Sequence, residues 1–484
     1  MTAEAPFRPK ARAVRGFQDR KADVLAAETR IVAAVSAVYE SFGFEPLETP
    51  AFEYADALGK FLPDAERPNA GVFALQDDDE QWIALRYDLT APLARFAAEN
   101  WSRLAKPFRR YAVGPVWRDE KPGPGRFRQF IQCDADTVGS ARPEADAEII
   151  AMAVAGYRAA GLDEAAFAVK INNRKLLSGL LTARGVSDEG QRLTALRAMD
   201  KLDRLGPGGV ADLLGAGRLD ESGAFTRGAS LPAAAIDGVL SFLDAGGRTR
   251  RQTLDSLASL IGGSGEVDAG LDELARIGAA LDSLGVGETQ ASFDPSVVRG
   301  LEYYTGAVFE AELRGDGASF GSIGGGGRYD GLVARFTGEA VPATGFSFGV
   351  SRLATALAAQ GASATSATPG PVVVIAFDEA RMGDYFAAAA ELRAAGMAAE
   401  VYLGESGMRA QMKYADRRRS PAVVILGEDE IAAGTVTVKD LQLGAALAGD
   451  VTDNRAWRED RPGQVTAPRA ELAAIVRRIV DASL

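Results

Sequence analysis

From Lys21 to Phe42, the apolar residues Val24, Ala27, Ile31, Val35, Val38 and Phe42 return at helical spacing, and Gly43 is placed to end the helix they predict. The run "FEPLETPAFE" that follows is extended, because Pro46 and Pro50 oppose further helix. "WIALRYDLTAPLARFAAEN" reads as a short strand running into a helix. In "FRRYAVGPVWRDEKPGPGRFRQFIQCDADTVG" two strand-like runs flank a turn rich in Gly, Pro and charge, which predicts a hairpin with a long mobile loop.

From about Lys175 to Gly287 the pattern changes to short amphipathic helices such as "LDELARIGAALDSL", with few β-branched runs, and predicts a helical insertion. Strand-like segments return at "ASFDPSVVRGLEYYTGAVFEAEL", "SIGGGGRYDGLVARF" and "ATGFSFGVSRLATALAAQ". The small, polar stretch "AQGASATSATPG" reads as a linker over 359–370. Beyond it, "PVVVIAF", "AAEVYL", "AVVILG" and "TVTVKDL" alternate with helical patterns, predicting a small α/β domain with a largely parallel sheet over 371–484. A first domain is thus built from 1–174 and 288–358, with 175–287 inserted into it.

Length and composition narrow the class. The 484 residues suit two or three domains, 47% hydrophobic and 25% charged content suits a globular chain, and no apolar run reaches membrane-spanning length. The N-terminus lacks the apolar block of a secretory signal, so the expected place is the cytoplasm and no membrane partner is expected. A single cysteine, Cys133, excludes an internal disulfide and cysteine-rich zinc sites. The chain contains no histidine, which removes Ser-His-Asp and Cys-His nucleophiles, imidazole bases and His-ligated metals together. Net charge is −12, from 54 basic and 66 acidic side chains, so a polyanion would have to meet a local basic surface.

Several stretches carry candidate chemistry. "SIGGGGRYDGL" is glycine-rich but lacks the lysine and hydroxyl of a phosphate loop, and a bulge or close backbone approach explains it as well as a ligand floor does. On the hairpin, Arg118, Glu120, Arg126 and Arg128 share one loop, while Phe130 and Gln132 point to the same face of the returning strand. Guanidinium groups there suit phosphate and carboxylate, and Phe130 suits stacking, although a solvated charged hairpin is the plainer alternative. In "LRYDLT", Asp88 and Thr90 could receive an ammonium group or cap the following helix. Arg409, Lys413 and Arg417, at i, i+4 and i+8, form a basic stripe extended by Arg418 and Arg419, either a solvated face or a surface for RNA phosphates.

Together these segments resemble the histidyl-tRNA synthetases, a family of class II aminoacyl-tRNA synthetases. "GFEPLETPAFE", "VWRDEKPGPGRFRQF" and "GFSFGVSRL" look like the three class II motifs. "LRYDLT", "QCDADTVG", "VRGLEYYTGAVFEA" and "GGRYDGL" resemble the histidine-specific ones, and "QMKYADRRRSPAVVILGEDE" with "VTVKDL" is similar to the family's anticodon-binding domain. The resemblance runs from about Arg15 to Lys439 and is loosest in the insertion. It implies an α+β catalytic domain on an antiparallel sheet, a homodimer seated on the first motif, and a C-terminal α/β domain that reads the anticodon of tRNA(His). It also implies ATP and Mg2+ as cofactors of histidine activation.

Carried over position by position, the resemblance puts Arg118 on the α-phosphate and the amino-acid carboxylate, and Arg352 at the γ-phosphate end of ATP. Glu120 and Phe130 would meet adenine, and Arg126 would contact ATP. Asp88 and Thr90 would bind the substrate ammonium, and Gln132 would bind near the carboxylate. Asp136 and Tyr304, with Tyr303 as packing or pocket wall, would meet the imidazole, and Arg299 would stabilise the α-phosphate as charge builds. An imidazole offers one donor and one acceptor, so amino acids lacking that pattern leave pocket groups unpaired, and no editing domain is expected. The second-motif loop carries Gly123 and Pro124 where many family members have Gln and Lys that help read an extra 5′ guanosine of the tRNA, which shifts the expected burden of recognition toward the anticodon. One rival reading is a class II synthetase for another amino acid such as threonine, proline or glycine, against which the tandem Tyr303-Tyr304 argues; the other is a synthetase-like regulatory subunit of the ATP phosphoribosyltransferase of histidine biosynthesis. That family lacks the C-terminal domain and tends to lose ATP-site arginines.

Overall fold

The apolar spacing after Lys21 becomes helix α1 (Ala22–Ser41), with Ala27, Ile31, Val35 and Tyr39 buried. Gly43, at φ 80°, adopts the left-handed turn that glycine takes at little cost and directs the chain into strand β1 (Glu45–Pro46). This computed structural model describes residues 8–58, 71–123, 126–219, 223–298, 304–359, 369–443 and 463–482. The chain divides into two compact units, 1–365 and 366–484, and most of the expected linker lies outside the described residues.

In the first unit, β2 (Phe52–Tyr54), β3 (Ala74–Gln76) and β4 (Trp82–Leu85) make a small antiparallel sheet, and α2 (Thr90–Asn100) follows β4. The predicted hairpin is β5 (Phe108–Trp117) and β6 (Gln129–Val138); α3 (Pro143–Ala159) and β7 (Phe167–Asn173) come next. The insertion holds α4 (Arg174–Ala183), α5 (Glu189–Met199), α6 (Leu202–Leu214), α7 (Ala233–Leu243), α8 (Arg250–Ile261) and α9 (Gly265–Ser283). Between α6 and α7 lies a short hairpin, β8 (Gly217–Leu219) and β9 (Phe225–Arg227). The side chains of Asn173, Asp188, Thr249 and Ser264 cap α4, α5, α8 and α9, each supplying an acceptor to an otherwise unpaired backbone N–H.

After β10 (Ala291–Phe293), β11 (Ala307–Leu313), β12 (Ser322–Arg328) and β13 (Ala343–Gly349), the unit closes with α10 (Ala334–Thr337) between the last two strands and α11 (Val350–Ala359) after them. The main sheet runs β1-β5-β6-β13-β12-β11-β7-β10, antiparallel from β5 through β7 and parallel at its two edges. Strand β6 is central, and its parity sorts chemistry from packing. Cys133 and Ala135 enter the apolar core with α1 and α3, while Phe130, Gln132, Asp134 and Asp136 project from the opposite face. That core continues without a break into Leu274, Ile277 and Leu281 of α9, so the insertion shares it.

The second unit contains β14 (Val372–Val374), α12 (Met382–Ala394), β15 (Ala399–Val401), α13 (Met408–Arg417), β16 (Ala422–Ile425), α14 (Glu428–Ala433), β17 (Thr435–Asp440), β18 (Gln464–Pro468) and α15 (Leu472–Ala482). Its sheet, ordered β15-β14-β16-β17-β18, is parallel only as far as β16 and antiparallel beyond it, which corrects the expectation of a largely parallel sheet. Residues 426–434 are too few for the crossover that a parallel partner needs, and Gly434, at φ 67°, turns the chain straight back.

Candidate active site

The polar face of β6 is the floor of a cavity of about 220 Å³, walled by β12, β13 and the turn before α2. Register explains why these side chains converge. Val116, Gly114, Ala112 and Arg110 of β5 pair with Phe130, Gln132, Asp134 and Asp136, and Gly349, Ser347 and Gly345 of β13 pair with the last three. A side chain at Gly345 would overlap the Asp136 carboxylate, and one at Gly327 would come within 2.9 Å of the Tyr304 ring. Small residues here admit the polar ones. Gly324–Gly327 lie within strand β12, so close backbone approach rather than a phosphate loop accounts for the glycine run, and Gly324–Gly326 line the cavity.

Arg118, just beyond β5, donates from Nε to the Tyr87 carbonyl (3.1 Å), and its guanidinium lies 5.1 Å from the centroid of the Phe130 ring. Glu120 and Arg126, both exposed, line the cavity from the loop joining β5 to β6. Gln132 donates from Nε2 to Ser347 Oγ (2.8 Å), leaving its buried Oε1 without a partner among the described residues. Asp88 holds the start of the helix and also faces the cavity. Its Oδ1 accepts from the N–H groups of Thr90 (3.1 Å) and Ala91 (2.9 Å), capping α2, and Asp88 and Thr90 also line the cavity. Arg352, in the first turn of α11, donates to the Ser322 carbonyl, and the positive end of that helix meets the cavity wall at Gly349 and Ser351.

Three carboxyls share this space, and burial pushes all of them above the ordinary range. For Asp136 the effect is opposed by Arg110, whose Nη2 sits 2.9 Å from Oδ2, and by the Tyr329 hydroxyl, which donates to Oδ1. Arg110 is itself fully buried and donates to the Leu89 carbonyl (2.8 Å). Asp134, with Asp136 as the second cause, is pushed up to about 8.

One cavity therefore gathers Asp88, Thr90, Arg118, Glu120, Arg126, Phe130, Gln132, Asp136, Tyr304 and Arg352. Arg299 and Tyr303 lie outside the described residues, as does Pro124. Sequence reasoning did not select Arg110, Asp134 or Tyr329. The available signal was strand parity, because Asp134 must share a face with Gln132 and Asp136, and the hairpin register then sets Arg110 opposite Asp136. In the second unit, Arg409, Lys413 and Arg417 are exposed along α13 with no carboxylate partner among the described residues. Arg418 does not extend that stripe freely, since both ends of its guanidinium are bound by Glu400 at 3.0 Å.

A hairpin with a charged loop, beside a strand that runs into a helix through Arg352, makes the catalytic fold that of a class II aminoacyl-tRNA synthetase. The family model described as "Histidyl-tRNA synthetase" matches residues 16–353, and one described as "Anticodon binding domain" matches 371–477. A histidine-tRNA ligase of Caulobacter vibrioides is 68% identical over 482 residues, 98% of this chain and 97% of that protein. One from Brucella suis is 54% identical over 492 residues, 99% of this chain and 98% of that protein. The crystal structure of a histidyl-tRNA synthetase from a Nostoc species superposes with a TM-score of 0.73 at 29% identity, covering 97% of this chain and all of that one. The chain belongs to the histidyl-tRNA synthetase family. A Bacillus halodurans structure, titled as an ATP phosphoribosyltransferase regulatory subunit/histidyl-tRNA synthetase, shares the fold at 23% identity, with a TM-score of 0.68 over 86% of this chain and 99% of that one.

Proposed function

We infer that the chain activates histidine with ATP and transfers it to tRNA(His), and the observation that carries this is the convergence of ten side chains, distant in sequence, on one cavity. A histidine carboxylate oxygen attacks the α-phosphorus, the bond to the bridging oxygen breaks, and pyrophosphate leaves with the electron pair. The terminal adenosine hydroxyl of the tRNA then attacks the acyl carbon and AMP departs. Neither step needs an imidazole base. Both need alignment and positive charge, which Arg118 and Arg352 supply at opposite ends of the triphosphate, with Phe130 and Glu120 holding adenine and Arg126 joining from the loop. Gln132 is assigned to a place near the carboxylate that Arg118 holds, Asp88 and Thr90 to the ammonium, and Asp136 with Tyr304 to the ring. The roles of Arg299 and Tyr303 rest on the resemblance of "VRGLEYYTGAVFEA".

Mg2+, when bound with ATP, adds positive charge at the phosphate oxygens. Among the described residues no three Asp, Glu or Cys side chains gather to hold an ion, so those oxygens would be its ligands. For the tRNA, the exposed cations of α13 suit anticodon-stem phosphates. A homodimer is supported by the first-motif region, where Phe52, Tyr54 and Leu75 stand exposed on one apolar face of the β2-β4-β3 sheet. No described helix is long and apolar enough to cross a membrane, and the cytoplasm is where the tRNA substrate would be met.

Pyrophosphate exchange measured with each amino acid in turn tests the reading. Exchange with histidine alone, followed by charging of tRNA(His), is expected. Absence of exchange with every amino acid would favour the regulatory subunit, a reading already opposed by the match over 371–477.

A further inference from the structure

Asp134 has no task in the function just described, yet it occupies the middle of the cavity floor at 1% exposure. Among the described residues neither carboxyl oxygen has a hydrogen-bond partner of ordinary geometry. The Ser347 hydroxyl beside it, which accepts from Gln132 and keeps one proton to give, relieves it only in part. Asp136 and Asp88 face it with like charge, and Arg110, the cation that opposes them, is already engaged by Asp136 and the Leu89 carbonyl. A buried carboxyl so poorly paired destabilises the empty protein, whereas an apolar residue would fill the same place without that cost. Something brought in by a ligand must compensate it.

The order of residues along β6 says what that is. Alternate side chains on a strand stand about 7 Å apart. Gln132 is assigned to a place near the substrate carboxylate and Asp136 to its ring, so Asp134 falls beside the α-carbon that joins them. The group carried there is an ammonium with three N–H donors. Asp88 alone serves it poorly, because one of its oxygens is committed to capping α2.

We propose that Asp134 is a direct acceptor for the α-ammonium group of bound histidine, sharing it with Asp88, and so helps to select an α-amino acid over its deaminated analogue. This rests on the placement of carboxylate and ring given under the proposed function. Losing a hydrogen bond to a charged group lowers affinity by about 10- to 100-fold.

The experiment compares the full-length parent enzyme with Asp134→Asn, measuring binding of histidine and of imidazolepropionate, which keeps ring and carboxylate but lacks the amine, together with the Tm of each protein without ligand. The variant is expected to bind histidine about 10- to 100-fold more weakly and imidazolepropionate as the parent does. Its ligand-free Tm is expected to equal or exceed the parent's. The sign follows from the raised carboxyl: between the ordinary range near pH 4 and about 8 the native state holds the extra proton, so the parent loses stability relative to Asn as pH rises through that window. Equal histidine binding by parent and variant, equal loss of both ligands, or a Tm drop with unchanged selectivity would each overturn the proposal. Asp134→Ser, with the same expectations, stands in if Asp134→Asn does not fold. A parent that binds no histidine would instead sink the functional reading beneath it.

Discussion

Arg110 is among the largest fully buried side chains of the protein, and its guanidinium is held by the Asp136 carboxylate and the Leu89 carbonyl. Its Nε and Nη1 have no hydrogen-bond partner among the described residues, so the ion pair is only partly compensated for its loss of water. Removing one member of such a pair is worse than having neither. Arg110→Met is therefore expected to cost about 3–5 kcal/mol in urea unfolding, since Asp136 would be left as an uncompensated buried charge. Arg110→Met with Asp136→Leu should recover most of that stability while abolishing histidine binding, which would separate the two roles of the pair. Nothing in "FRRYAVGP" taken alone marks Arg110 as buried, because Arg109 beside it stays half-buried and reaches Glu148 at 2.9 Å. Only the cross-strand partner tells the two arginines apart. By contrast, Phe130 and Gln132 were legible from period-two spacing, which is local.

Among the elements, α1, β6 and α11 meet at one hydroxyl. Ser351 Oγ accepts from the Ile131 N–H (3.1 Å) and donates to Glu28 Oε1 (2.6 Å), and Glu28 is paired with Arg20. The adjoining residue on α11 is Arg352, so this junction sets the direction of the side chain proposed for the γ-phosphate end of ATP. Ser351→Ala leaves a buried carboxylate oxygen and a strand N–H unpaired, and is expected to cost about 2 kcal/mol in denaturant melts. It is also expected to raise the KM for ATP several-fold more than the KM for histidine in pyrophosphate exchange. An equal rise in both would mean that the hydroxyl supports the cavity at large rather than Arg352. Elements of this kind were readable wherever the pattern was local: α1 by its apolar spacing, the β5–β6 hairpin by its turn, and the helices of the insertion by their amphipathic repeats. The second unit's sheet was misread because alternating strands and helices look alike whether the next strand pairs parallel or returns antiparallel. The length of residues 426–434 held the answer.

At the scale of the whole molecule, two separately packed units divide the proposed work, which makes it experimentally separable. The variant Arg409→Glu, Lys413→Glu, Arg417→Glu is expected to leave histidine-dependent pyrophosphate exchange within twofold of the parent. Its affinity for tRNA(His) should fall, and the log-log salt dependence of binding should flatten by about 2, as the loss of three phosphate contacts implies. An unchanged salt slope would show that these side chains are an ordinary solvated face. The first unit is not divisible in the same way. Its apolar cluster passes from α1 and α3 through the sheet into α9, and Gly278 of α9 lies so close to β10 that a Cβ there would stand 3.4 Å from the Phe293 ring. Residues 175–287 are therefore no cassette that could be exchanged between relatives by cutting at its ends. A graft would have to carry with it the matching faces of α3 and β11, against which α9 packs, because a methyl group changed on one side of that seam must be answered on the other.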